Sequence, residues 1–137
     1  MGRKRIYQTK EEVLANRRKM VLDYSIEFLN YMSIPNTPLH RQVKIHNKRV
    51  DGYDPITTTI FEFLGDYWHG NPKKYNPLSL NQIIKVSFSK LYNETIDRFT
   101  FLHERGYAIK YIWESDWETW NSCNRVENIP LENFHPI

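Results

Sequence analysis

Apolar side chains recur at intervals of seven, four, four and three through Val13, Met20, Tyr24, Phe28 and Tyr31, the spacing of one face of an α-helix. Thr9 followed by Glu12 has capping-box spacing and should open that helix. "SIPNTP" (33–38) ends it, because two prolines in four residues cannot extend it. The period then changes. "LHRQVKI" and "KRVDGYD" flank a polar "HN" and predict a hairpin. "ITTTIFEFLG" (56–65) follows as the best strand in the chain, rich in β-branched and aromatic residues, and "HGNPKKYNP" (69–77) reads as a loop. Ile84, Phe88, Leu91 and Leu102 predict a second long helix from about Leu80 to Glu104, with Gly106 where a C-terminal cap belongs. "YAIKYIWE" is a short buried strand, and Ser115 to Glu118 repeats the capping-box spacing and starts a short final helix. No internal repeat or low-complexity segment interrupts this order. The sequence α-β-β-β-α-β-α predicts an α/β domain whose mixed central sheet carries helices on its faces.

A length of 137 residues suits one domain over 1–137, with a basic arm and helix over about residues 1–32. The aromatic share of 15% is high and must be placed in a core, on a stacking surface or both. No apolar run approaches the roughly 18 residues of a membrane span. The basic N-terminus has no apolar stretch behind it, so a secretory signal is not expected. Cys123 stands alone, which excludes an internal disulfide, fits a reducing compartment such as the cytoplasm, and gives no sign of a nucleophile with a positioned base. The net charge of +3 is too small to name a partner, but its distribution is uneven. Arg3, Lys4, Arg5, Lys10, Arg17, Arg18 and Lys19 face only Glu11 and Glu12 in the first 19 residues. Such an arm suits a phosphate backbone, and on charge alone it suits a solvated helix face equally well.

The chemistry concentrates around the third strand. If "RVDGYDP" pairs with "ITTTIFEFLG", Asp51 and Glu62 can lie at one end of the sheet, where two carboxylates suit a hard cation such as Mg²⁺. Strand alternation places Glu62, Leu64 and Asp66 on one face and Phe63 on the other. His69 lies just beyond, on a loop that could present it as a proton acceptor for phosphodiester hydrolysis. Read as residues alone, these acids could equally be solvated or capping groups. His69 could be a loop histidine bonded to backbone, Glu27 an exposed helix residue, and Trp68 part of the core.

"VDGYDP", "TTTIFEFLGDYWHGNP" and "GYAIKYIWESDW" together resemble the very-short-patch-repair-like endonucleases, nearest to the phage and viral branch that includes homing endonucleases, within the PD-(D/E)XK superfamily. The resemblance covers roughly residues 20 to 118. It implies a restriction-endonuclease-like fold and a Mg²⁺-dependent DNA endonuclease, with Mn²⁺ as a substitute, acting on double-stranded DNA in one strand or both. It implies a phage- or virus-encoded protein in the host cell, acting as monomer or homodimer. Asp51 and Glu62 then take the metal-binding places, Glu27 resembles the helix glutamate that completes the site, and His69 the histidine beside the scissile phosphate. Asp66 resembles an additional acid of the phage branch. Tyr67 and Trp68 align with an aromatic pair that wedges into the base stack, while Arg3, Lys4, Arg5, Arg17 and Arg18 are expected on phosphates.

Two departures qualify the resemblance. Leu64 stands where the superfamily usually has lysine, so Asp66 and His69 are expected to compensate. Asp66 and Asn71 replace the ligand types of the structural zinc found in repair members, so no structural zinc is expected and mismatch repair is disfavoured. Asp116 remains a minor metal candidate beside its capping role. The rival readings are a DNA-binding module of the same fold without catalysis, and a nuclease of RNA or branched substrates.

Overall fold

The computed structural model describes residues 9–136; Arg3, Lys4 and Arg5 lie outside them. Helix α1 (Lys10–Tyr31) begins with the expected reciprocal cap: Thr9 Oγ1 accepts from the Glu12 N–H, and the Glu12 carboxylate accepts from the Thr9 N–H. Its buried stripe is shorter than the apolar spacing implies. Phe28 and Leu29 are buried, whereas Val13, Met20 and Tyr31 are exposed.

Strands β1 (Arg41–Ile45) and β2 (Lys48–Asp54) form the predicted hairpin. His46 and Asn47 at its tip both have positive φ, as a two-residue turn matched to strand twist requires. Strand β3 (Thr59–Leu64) pairs antiparallel with β2, and β6 (Ala108–Trp113) pairs parallel with β3 along its whole length. A two-residue strand β7 (Glu132–Asn133), which the sequence pattern does not predict, joins β6. The result is a five-stranded mixed sheet in the order β1-β2-β3-β6-β7.

Between β3 and β6 lie a single turn of helix α2 (Asp66–His69), a small hairpin of β4 (Leu80–Asn81) and β5 (Val86–Ser87), and helix α3 (Phe88–His103). The second helix thus starts eight residues after the predicted Leu80. Local bonding explains the delay. The buried Asn81 side chain accepts from the N–H groups of Ile83 and Ile84, curling the chain into a turn, and Ser87 then caps α3 by accepting from the Lys90 N–H. Helix α4 (Glu114–Ser122) follows β6 directly. Ser115 does not cap it, because its hydroxyl is donated to Asp66 instead.

Strand β3 is buried on both faces, and its alternation sorts the core. Ile60 and Leu64 pack with Val50, Phe99 and Leu102 towards α3. Phe61 and Phe63 pack with Phe28, Leu29, Trp117 and Trp120 towards α1 and α4. Gly52 permits this second contact: a Cβ there would come within 2.6 Å of Leu29 Cδ2. Among the described residues no helix is long and apolar enough to cross a membrane.

Candidate active site

Strands β2 and β3 pair only at Gly52–Phe61, Tyr53–Ile60 and Asp54–Thr59, although both continue beyond the first of these pairs. Where the ladder stops, the Phe63 N–H finds no strand partner in β2. The Asp51 carboxylate takes it instead, Oδ2 accepting at 2.8 Å. Glu62 belongs to the β3 face that looks at α3, and from that helix Arg98 donates to its Oε1 at 2.8 Å. Asp51 and Glu62 are within hydrogen-bonding reach of each other. Burial raises both carboxyls above their ordinary range, more so for Glu62, where the Asp51 charge adds to it. The Phe63 N–H and Arg98 act against this on Asp51, and Arg98 acts against it on Glu62.

Asp51, Glu62, His69 and Arg98 open onto one cleft of about 340 Å³, which Arg18, Val21, Leu22 and Ser25 of α1 border together with Arg49, Phe63 and Trp68. His69 ends α2 rather than lying in a loop. Its Nδ1 is 2.9 Å from Thr95 Oγ1, and that hydroxyl is 3.1 Å from the Leu91 carbonyl. A hydroxyl has one proton to donate. With it given to Leu91, Oγ1 accepts from Nδ1–H, all three groups are satisfied, and Nε2 keeps a free lone pair. Burial, followed by the Arg98 charge, lowers the imidazole pKa from 6.5 to about 4, so the ring is neutral at physiological pH.

Other expected site residues fall elsewhere. Asp66 is not on the β3 face: it starts α2 as a buried clamp. Its Oδ1 accepts from Asn71 Nδ2 at 2.9 Å and Ser115 Oγ at 3.3 Å, and its N–H donates to Glu114 Oε1 at 3.0 Å. It borders grooves other than the cleft. Glu27 is exposed and, at 100° per residue, lies about half a turn around α1 from the cleft-facing Arg18. Among the described residues no set of three or more His, Cys, Asp or Glu side chains could hold a metal ion, so the Asp51–Glu62 pair is not extended by Glu27, Asp66 or Asp116. Leu64 is fully buried in the α3-side core and cannot reach the cleft.

The aromatic pair and its arginines are stacked together. Arg17 lies over the Tyr67 ring at 4.6 Å and donates to Tyr75 Oη, and Arg18 lies over Trp68 at 4.8 Å. Tyr67 also packs edge-on against Trp68, Tyr75 and Phe88. Both rings are half-buried, which is a poor starting point for a wedge, and Trp68 Nε1 has no partner among the described residues.

The sequence reading missed Arg98, Arg49 and Thr95. Leu91, Thr95, Arg98 and Leu102 share one helical face, so an arginine on the buried stripe of α3 was the legible sign of an acid waiting opposite. Arg49 left no such sign. Comparison with protein-family models, with curated proteins and with solved structures returns no match. The arrangement therefore has to be argued from its own chemistry.

Proposed function

We propose that this chain is a metal-dependent phosphodiester hydrolase acting on duplex DNA, with a restriction-endonuclease-like core. The observation that carries the reading is the meeting of Asp51 and Glu62 at the β2–β3 splay, opening onto a cleft that also holds a neutral histidine and three arginines. Two carboxylates raised above their ordinary range by burial, one of them also by the charge of the other, are a recurrent feature of cation sites.

The pair fits Mg²⁺ or Mn²⁺: both donors are oxygens, and such ions are commonly held by one or two carboxylates with water and substrate phosphate completing the shell. When bound there, the ion would supply positive charge to the phosphate and a more acidic water. The chain's own groups do the rest. His69 Nε2 is the proton acceptor: as the water oxygen bonds to phosphorus and an ester oxygen leaves, the proton released by the water moves to that lone pair. Arg98, Arg49 and Arg18 face the cleft where negative charge accumulates on the phosphoryl oxygens. Arg98, coming from α3, offers the cation that Leu64 cannot.

The second reading, a DNA-binding module without catalysis, is favoured by the burial of Leu64 in the lysine place. A plasmid-nicking assay separates the two. The wild type is expected to nick or linearise supercoiled DNA with Mg²⁺ and not with EDTA, and Asp51→Ala to lose about 10³-fold or more in rate, the scale of a lost charge-stabilising group. DNA binding without any product after long incubation would leave the non-catalytic module. Equal cleavage by wild type and Asp51→Ala would remove Asp51 from the chemistry.

A further inference from the structure

We propose that the β4–β5 hairpin and its flanks, residues 72–90, form a duplex-DNA contact element beside the cleft, its lysines on phosphates and its apolar tip against the sugar–base surface. This rests on the nuclease reading and deepens it. Four side chains in this short segment expose apolar surface. Leu78 is 87% exposed, Leu80 51%, Ile84 42% and Ile83 38%. An exposed apolar cluster of this kind in one short element marks an interaction surface.

Charge names the occupant. Between Asp66 and Glu94 the chain has no acidic residue and carries Lys73, Lys74, Lys85 and Lys90, all exposed. Asp116 of α4 feels Lys73 and Lys74, and Glu94 lies one helical turn from Lys90 on α3, so the four lysines face few acids. Cations around an apolar tip match a polyanion whose interior is stacked bases.

The hairpin is also built to hold its shape and is fastened to the site. Asn81, fully buried, donates to the Tyr67 carbonyl at 3.0 Å, and the Gln82 N–H donates to Tyr67 Oη at 3.2 Å. Ser79 and Pro77 carbonyls accept from the first residues of α3. Tyr67 is continuous with Trp68 and His69 of the cleft. The apolar contact that sequence placed at Tyr67 and Trp68 is thus better supplied by Leu78, Leu80, Ile83 and Ile84, since the rings are already occupied beneath Arg17 and Arg18.

Binding of a labelled 20-bp duplex, followed by anisotropy across a salt series with Ca²⁺ replacing Mg²⁺, tests this. Leu78→Ser/Ile84→Ser is expected to weaken binding at least about tenfold, the scale of one apolar side chain losing its burial, with the salt slope unchanged. Lys85→Gln/Lys90→Gln is expected to flatten the slope by about 1.8, two phosphate contacts at about 0.9 each. Ile56→Ser, 93% exposed in the β2–β3 turn at the far end of the sheet, is the control and should bind as wild type. All these positions are exposed, so the variants should fold. If both double variants bind as wild type does while the wild type still cuts, the hairpin proposal is overturned and the nuclease reading stands. If the wild type neither binds nor cuts duplex DNA, both fall. If Leu78→Ser/Ile84→Ser dissociates a dimer in sedimentation velocity and leaves DNA affinity intact, the tip belongs to a second copy and the proposal is overturned.

Discussion

Two acids that repel, an arginine that holds one of them and a histidine kept neutral determine what the cleft can do. The Arg98–Glu62 contact is half-buried on the arginine side, 24% against 4% exposed, so the carboxylate is desolvated while the guanidinium can still meet a ligand. His69 shows the consequence of such an environment. Protonating it adds a charge beside Arg98 inside a desolvated site, which is why its pKa falls to about 4. The linkage has a definite sign. Between 6.5 and about 4 the unfolded chain binds a proton that the folded chain refuses, so this group's contribution is present above 6.5 and is lost as pH falls through that window. Imidazole NMR should therefore show His69 neutral from pH 8 down to pH 5, with its single proton on Nδ1. Thr95→Val should disturb that tautomer and lower kcat about tenfold or more with KM little changed, because Thr95 positions the ring and does not touch substrate. A titration of His69 near 6.5 would end this account of the base.

The turn α2 carries His69, and it shows why the role of Asp66 is structural. Gly70 ends the turn at φ +63°, with the Phe88 carbonyl 2.2 Å from where a Cβ would stand, so α2 sits hard against the start of α3. Asp66 fixes the other end through Asn71, Ser115 and Glu114. Asp66→Ala should then cost about 1–3 kcal/mol, the scale of buried groups left without their partner, read as a lower denaturation midpoint. Cleavage per folded molecule at low temperature should remain within severalfold of wild type. Glu27→Ala, exposed on the far side of α1, should change neither. An Asp66→Ala protein of wild-type stability and no activity would return Asp66 to the chemistry. The elements legible in the sequence were those written in one continuous pattern: the Thr9–Glu12 cap, the hairpin around His46–Asn47, the alternating β3 and its pairing with an acid-bearing β2. The others depended on partners distant in the chain. Asn81 breaks a helical pattern through its bonds to the Ile83 and Ile84 N–H groups and is held in place by the Tyr67 carbonyl, Ser115 leaves its capping place for Asp66, and a two-residue β7 exists only because β6 offers an edge. Arg98 could be read as an arginine on the buried stripe of α3, but its partner Glu62 could not be read from the sequence.

At the scale of the molecule, the fold carries a site that works against its own stability. Desolvation holds the Asp51 and Glu62 carboxyls above the ordinary range, and the Asp51 charge adds to it on Glu62, so their favourable contribution is complete below about pH 4, the unfolded-state value, and is lost as pH rises through the folded values. At neutral pH the pair is therefore a strain on the metal-free protein. Asp51→Asn keeps an oxygen to accept from the Phe63 N–H and removes the repulsion, so it should stabilise the metal-free protein by about 1–2 kcal/mol at pH 7.5, an advantage that shrinks towards pH 4. A cation bound by the pair reverses the balance. At a concentration one hundred times its Kd it adds about 2.7 kcal/mol, which for a domain of this size is a rise of several degrees in Tm. Melting curves of wild type and Asp51→Asn, each with EDTA and with Mg²⁺ or Mn²⁺ at pH 7.5, read both effects together. The variant should melt higher without metal and gain little with it, while the wild type should melt lower and gain most. Equal metal-induced shifts in the two proteins would mean that the ion binds elsewhere. A variant less stable than the wild type without metal would mean that the acid pair holds the β2–β3 splay together rather than straining it.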